Sequence, residues 1–213
     1  MHRIGIVVSV LLMFCVQGLP ARAEDKAGQF DYYALVLSWS PTFCEGRSDD
    51  GPQCNGKRSY AFVLHGLWPQ FEKGYPRDCA SDAPKNVEVP LARAQLDIMP
   101  SLGLIGHEWR SHGTCSGLTQ DAYFATLRAA REKIAIPAKY ERLANWTSEK
   151  PDAVESAFLA ANPGMQATGA AIICDRRFLS EIRICMTKSL GYRACPEVEK
   201  SSCRLAKAVM PPI

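Results

Sequence analysis

The chain has 213 residues, with 25 Lys and Arg against 22 Asp and Glu and a formal net charge of +3. That length holds one domain of ordinary size with a substantial core. The small positive balance excludes a protein that grips nucleic acid along a long stretch of backbone, which would carry a large basic excess.

Residues 1–23 read as a secretory signal peptide. His2 and Arg3 make a short basic start, residues 4–16 are an apolar run, and Ala21-Arg22-Ala23 matches a small-x-small cleavage site. The run is shorter than the roughly 20 residues that a membrane span needs, and no later segment approaches that length, so no membrane association is expected. Cys15 could suggest a lipid-modified cysteine, but the bulky Phe14 before it argues against that. The signal holds two of the 25 basic residues and none of the acidic ones, so residues 24–213 carry a net charge of +1 (23 against 22).

Apart from Cys15, the cysteines are Cys44, Cys54, Cys79, Cys115, Cys174, Cys185, Cys195 and Cys203. An even set behind a secretory signal reads as four disulfides in an oxidising compartment, so the protein is expected to be secreted or periplasmic. No C-x-x-C pair exists, which speaks against structural zinc. Spacing alone leaves roughly a hundred connectivities open.

In chain order, residues 30–40 (FDYYALVLSWS) are rich in aromatic and β-branched residues and stop at Pro41, which predicts a strand. Residues 42–58 hold Gly, Asp, Asn and Pro with Cys44 and Cys54, the composition of a stapled loop. Residues 59–65 (SYAFVLH) are apolar on both alternating faces, as in a buried central strand. Residues 70–89 are polar and broken by Gly and Pro, and Pro90 suits the first turn of a helix running to about Met99. Residues 107–115 are expected to be helical as far as Gly113. Residues 121–134 (DAYFATLRAAREKI) predict an amphipathic helix capped by Asp121 or Thr119. Another spans 151–162 and ends at Pro163-Gly164. Residues 169–174 (GAAIIC) and 178–186 (FLSEIRICM) predict strands, followed by a cysteine-rich tail. Strands and helices mix without a regular βαβ repeat, which predicts the α+β class. No repeat, long linker or low-complexity stretch divides the chain, so residues 24–213 are read as a single domain.

Beyond His2, the histidines are His65, His107 and His112, and all fall in two short segments, HGLWP at 65–69 and HEWRSHGTC at 107–115. On a helix, Glu108 and His112 share a face, whereas His107 lies about 100° round from Glu108. Cys79 lies on the loop leaving the first segment and Cys115 follows His112 by one turn. A Cys79–Cys115 bond would clasp the two segments into one site. Two imidazoles facing one centre suit acid–base chemistry near neutral pH, one accepting a proton and the other donating it. RNA transesterification needs both in one step: the ribose 2′-OH loses a proton and the 5′-oxygen leaves with one. DNA lacks that hydroxyl, so the chemistry itself selects RNA. The near-neutral charge then implies a local cleft rather than an extended track.

HGLWP and HEWxxHGTC resemble the two active-site segments of the ribonuclease T2 family. The likeness extends to FDYYALVLSWSPTFC and FLSEIRICM and covers most of the chain after the signal. The resemblance implies an α+β fold with a central antiparallel-rich sheet flanked by helices. It also implies a monomeric, metal-independent endoribonuclease of low base specificity. Such an enzyme needs no cofactor and no obligate protein partner, and it yields 2′,3′-cyclic and then 3′-phosphate ends. By the same resemblance, His65 would be the general acid, His112 the general base, His107 a phosphate ligand and Glu108 a stabiliser of the phosphorane. Trp68 would offer an aromatic face to a base. The disulfides would be Cys44–Cys54, Cys79–Cys115, Cys174–Cys203 and Cys185–Cys195.

One departure stands out. The residue before the second catalytic histidine is commonly lysine in that family and is Ser111 here. Loss of one well-placed donor costs about 10²–10³ in rate. Arg110 could substitute only by reaching back from about 100° round a helix.

Three rival readings have specific weaknesses. A zinc hydrolase is suggested by HEWRSH, but its histidines are five apart rather than four. A cysteine hydrolase is suggested by residues 113–117 (GTCSG), yet no histidine follows Cys115 and a free thiol is required. A non-catalytic RNA-binding protein on the same scaffold is disfavoured by the full set of His65, His107, Glu108 and His112. Arg176-Arg177 and Arg128 with Arg131 read as solvated faces, and Asn145-Trp146-Thr147 is a glycosylation sequon of consequence only in a eukaryotic host.

Overall fold

A computed structural model describes residues 25–47 and 51–213. The signal-peptide reading at 1–23 lies outside the described residues. Six strands, β1 (Tyr32–Trp39), β2 (Phe62–Gln70), β3 (Thr147–Glu149), β4 (Ala170–Asp175), β5 (Phe178–Met186) and β6 (Ala208–Met210), form one sheet. β1 runs antiparallel between β2 and β5, and β4 pairs antiparallel along the other edge of β5. A single parallel bridge, Phe178 to Val209, joins β6 to β5, and β3 pairs antiparallel with β6. The helices are α1 (Ser40–Cys44), α2 (Gly51–Asn55), α3 (Val89–Arg93), α4 (Leu102–Ser111), α5 (Gln120–Glu132), α6 (Pro151–Ala161) and α7 (Pro196–Glu199). The class is α+β, with an antiparallel-rich sheet.

Strand alternation divides the sheet into a core face and a working face. Tyr33, Leu35, Leu37 and Trp39 of β1 meet Leu64 and Leu67 of β2 and Ile182, Ile184 and Met186 of β5 in the main core. Helices α4, α5 and α6 close that face with Ile105 and Trp109, Tyr123, Phe124 and Leu127, and Val154 and Phe158. Each such side chain taken fully out of water contributes about 1.5–3 kcal/mol, so this face is where the stability lies. Ala34, Val36 and Ser38 point the other way. They are flanked in register by Gly66 and Trp68 of β2 and by Glu181 and Arg183 of β5.

A bulge decides the geometry of the first histidine. Val36 pairs with Gly66 and Leu37 with Leu64, so His65 is the extra residue and has no partner across the ladder. In an unbroken strand His65 and Trp68, three apart, would face opposite sides. The extra residue re-aims His65 so that both rings share the working face, with centroids 5.2 Å apart.

Several elements differ from their sequence expectation. The strand expected at 59–65 runs over 62–70 and is the edge of the sheet, not its centre. It is buried because α4 and α5 cover it, and Pro69, which lacks an N–H, is tolerated at an edge. The helix expected at 107–115 begins at Leu102, since the Ser101 hydroxyl accepts the Leu104 N–H at 3.2 Å. It ends at Ser111, and a short 3-10 turn covers Gly113–Ser116. The helix expected from Pro90 to Met99 closes after Arg93 and continues as turns. The stapled loop at 42–58 contains α1's end and α2, and the tail adds α7 and β6. Of the two caps offered for α5, Thr119 accepts the Ala122 N–H. Four disulfides join Cys44 to Cys54, Cys79 to Cys115, Cys174 to Cys203 and Cys185 to Cys195.

Candidate active site

The two histidine segments meet where α4 lies along the β2 edge. Ile105 and Trp109 point from α4 into the core, while Glu108 and His112 turn to Trp68 on β2. The Trp68 indole N–H donates to Glu108 Oε2 at 2.7 Å. Its ring stacks on His112 with centroids 4.8 Å apart and planes 20° apart. A side chain at position 66 would collide with the Glu108 carboxylate and the indole nitrogen, which is why the segment carries glycine there. Gly113 is similarly forced, because a Cβ would run into the Trp109 ring. The Cys79–Cys115 bond and an Asp78 N–H to Ser111 carbonyl bond of 3.0 Å tie the loop after β2 to the end of α4.

His65 sits between two carboxyl groups. Its Nδ1 lies 2.7 Å from Glu181 Oε1 on β5, and its Nε2 3.5 Å from Glu108 Oε1. Burial opposes a charge on His65, but the Glu181 hydrogen bond and the fields of Glu108 and Glu181 outweigh it and raise its pKa above the ordinary histidine value. Burial pushes the Glu108 carboxyl up to about 7, against the pull of His65 and the Trp68 N–H. The opposite holds at His112: burial, then the fields of His107, His65 and Arg77, lower its pKa to about 3. Among the described residues no group partners its buried Nδ1. The site therefore holds one imidazole biased toward the cation and one held neutral, on either side of a tryptophan.

Open space flanks this pair on both sides. One cavity of about 550 Å³ is lined by Trp68, Gln70, Tyr75, Arg77, His107, Ser111, His112 and Arg183. Another of about 730 Å³ is lined by His65 with Ser38, Phe43, Gln53, Tyr60 and residues of the 100–104 segment. His107, exposed on α4, thus faces the same space as His112 although it does not touch it. All five site residues read from the sequence, His65, Trp68, His107, Glu108 and His112, are brought together. Arg110 is not. It lines a separate groove with Lys85, Asp82 and Ser111, away from the histidines.

The protein-family comparison matches the ribonuclease T2 family model over residues 30–195. The chain belongs to the ribonuclease T2 family. A ribonuclease of Aeromonas hydrophila is 36% identical over 192 residues, covering 88% of this chain and 86% of that protein. A probable ribonuclease of Haemophilus influenzae is 33% identical over 156 residues, 65% of this chain and 57% of its own length. Among solved structures, an RNase-related protein from Calystegia sepium superposes with a TM-score of 0.69 at 23% identity, covering 85% of this chain and 97% of that one. RNase NT in complex with 5′-AMP superposes at 0.68 and 23% identity, covering 86% and 99%. These structures carry the likeness of fold. Two of the rival readings meet specific obstacles in the structure. Cys115 is bonded to Cys79, so the thiol that a cysteine hydrolase needs is not free. Among the described residues no three His, Cys, Asp or Glu side chains are grouped as metal ligands.

Sequence reasoning missed Glu181 and Arg183. Both sit on β5, two residues apart and therefore on one face, in the FLSEIRICM segment. Arg183 Nη2 and Nε lie 3.2 and 3.3 Å from Glu181 Oε2, and its guanidinium carbon is 5.1 Å from the Trp68 ring centroid. A charged pair at alternate positions of an otherwise apolar strand was the available signal.

Proposed function

We propose that this T2-family endoribonuclease cleaves single-stranded RNA by in-line transesterification, without a metal ion, and with low base specificity. His112 takes the proton of the 2′-OH as the 2′-oxygen bonds to phosphorus. His65 gives a proton to the 5′-oxygen as the P–O5′ bond breaks, which leaves a 2′,3′-cyclic phosphate. In the second step the roles reverse: His65 takes a proton from water, and His112 returns one to the 2′-oxygen, giving a 3′-phosphate. His107, facing the cavity beside His112, binds a phosphate oxygen. Glu108, about half protonated at pH 7 and more so below it, donates from Oε1 to an oxygen of the crowded phosphorane.

The observation that carries this reading is the opposite bias of the two imidazoles. One is biased toward the cation and one held neutral across a single indole, the division that concerted acid–base catalysis requires. The flanking cavities leave room for a nucleotide on each side of the scissile bond. RNase NT was solved with 5′-AMP and a variant of RNase MC1 with 5′-UMP, which supports nucleotide binding here. Trp68 holds Glu108 and His112 in place. With His112 stacked on the ring and Arg183 close by, a base reaches Trp68 at the cavity edge of the ring.

Among the described residues no helix is long and apolar enough to cross a membrane. The signal-like sequence at 1–23 and the four disulfides support a protein working outside the cytoplasm, in the periplasm or medium, and we read it as a single-domain monomer. The test is cleavage of defined dinucleotides with and without a strong chelator. Cyclic-phosphate and then 3′-phosphate ends, unaffected by chelator and absent with His112→Ala, are expected. Other end chemistry, or loss of activity in chelator, would sink the mechanism.

A further inference from the structure

His65 is held from behind by a residue two strands away. Glu181 reaches it across β1 because the residue between them, Ser38, pairs with Val63 on one side and Glu181 on the other and is small. The Glu181 side chain is only 14% exposed. Both its oxygens are engaged, Oε1 by His65 Nδ1 at 2.7 Å and Oε2 by Arg183 Nη2 at 3.2 Å. Arg183 is in turn laid against Trp68, so the carboxylate is fixed at both ends.

A carboxylate only accepts hydrogen bonds. The Nδ1 of His65 must therefore carry a hydrogen in either charge state, which leaves Nε2 as the position that gains and loses the catalytic proton. That nitrogen is the one on the Glu108 side, toward α4. We propose that Glu181 is the positioning residue for His65: it fixes the Nδ1–H tautomer and aims Nε2 at the leaving oxygen, with Arg183 as its anchor. The proposal rests on His65 being the general acid.

The charged groups acting on His65 are Glu181 and Arg183 from β5 and Glu108 from α4; His112, at the end of α4, feels the field of His65 and is itself neutral. Burial and Arg183 oppose a cation at His65, and Glu181 and Glu108 favour it. Glu108 sits at about 7 and is neutral over much of the mildly acidic range. In Glu181 burial favours the neutral acid, but the bond from His65 and the charges of His65 and Arg183 prevail and hold it ionised. Glu181 is the carboxylate that remains.

Glu181→Gln keeps the shape and an acceptor oxygen and removes the charge. The readout is kcat/KM across pH on two substrates with the same base: a dinucleotide, whose alkoxide must be protonated to leave, and a nucleoside 3′-(4-nitrophenyl phosphate), whose phenolate need not be. Dinucleotide cleavage at neutral pH is expected to fall about 10- to 100-fold, with the alkaline limb shifted down by about one pH unit. The nitrophenyl ester is expected to change by less than about threefold. The ratio of the two substrates does not depend on the folded fraction, so a stability loss cannot imitate the result. Equal losses on both substrates, no loss on either, or an unmoved alkaline limb would overturn the positioning role. His65→Ala keeps the two ideas apart. If it damages both substrates alike, His65 is not the acid; if it damages the dinucleotide alone while Glu181→Gln spares it, only the role of Glu181 fails.

Discussion

The three titrating side chains at the centre set an acidic working range. His65 is raised, so its acid form persists above the ordinary histidine value and is lost only as pH climbs past it. Glu108 is protonated below about 7 and loses its donor hydrogen above that. His112 is neutral at any pH above about 3, so it imposes no acid limb until then. Dinucleotide kcat/KM is therefore expected to be high through mildly acidic pH and to decline as pH rises through 7 and beyond. A maximum above about pH 8 would contradict the assignment of Glu108 and His65 as proton donors. Glu108→Gln, which presents a permanent N–H where the acid presents O–H, should keep much of the activity and flatten the component near 7. Ser111 poses a separate question. It is 6% exposed, borders both the histidine cavity and the neighbouring groove, and carries no charge. Ser111→Lys is expected to raise kcat by about 10²-fold with little change in KM, since one well-placed donor beside the phosphorane is worth about 10²–10³. An unchanged rate would mean that Arg77 or Arg183, which line the same cavity, already serves.

At the scale of elements, the bulge in β2 and the clasp to α4 make the site. Gly66→Ala places a methyl group where Glu108 and the Trp68 indole meet. It is expected to cost about 1–3 kcal/mol by overpacking and to reduce activity more than the stability loss explains, read by denaturant unfolding alongside turnover. Removing the clasp with Cys79→Ala and Cys115→Ala together frees a loop with a sequence separation of 36. A loss of about 3–4 kcal/mol on unfolding is expected from chain entropy. These parts differ in how far the sequence disclosed them. Trp68 and His65 were legible as a motif, but not the bulge that turns them to one side, since a bulge depends on the partner strand. The edge position of β2 was in principle written in Pro69, yet the apolar run 59–65 reads as a central strand when helices rather than strands cover it. The start of α4 was hidden because Ser101 caps a stretch, 102–106, with no clear period of its own. Glu181 escaped because its partner His65 is 116 residues away, and nothing local to FLSEIRICM tells a catalytic support from a surface pair.

The whole molecule carries little net charge, +3 over all 213 residues and +1 over residues 24–213, and this bears on how substrate is held. The histidine cavity is lined by two permanent cations, Arg77 and Arg183, and by the carboxyl group of Asp78. Arg183 is partly committed to Glu181, and Arg77 lies 3.4 Å from Asp78. Elsewhere several of the basic residues are engaged by the protein itself. Arg128 is paired with Asp97, Arg193 with Glu72, and Arg131 donates to the Ile134 carbonyl. Each phosphate neutralised on a single strand contributes about −0.7 to the slope of log affinity against log salt. Two contacts give a slope of about −1.4, so raising salt from roughly 50 to 200 mM should weaken binding only about sevenfold. Six contacts would give several hundredfold over the same range. The measurement is kcat/KM at subsaturating single-stranded RNA as salt is varied, repeated with Arg77→Ala, which should flatten the slope by about 0.7. A wild-type slope steeper than about −3 would show that RNA is held by a basic surface beyond the cleft, with Arg176 and Arg177 on the β4–β5 turn the first residues to test.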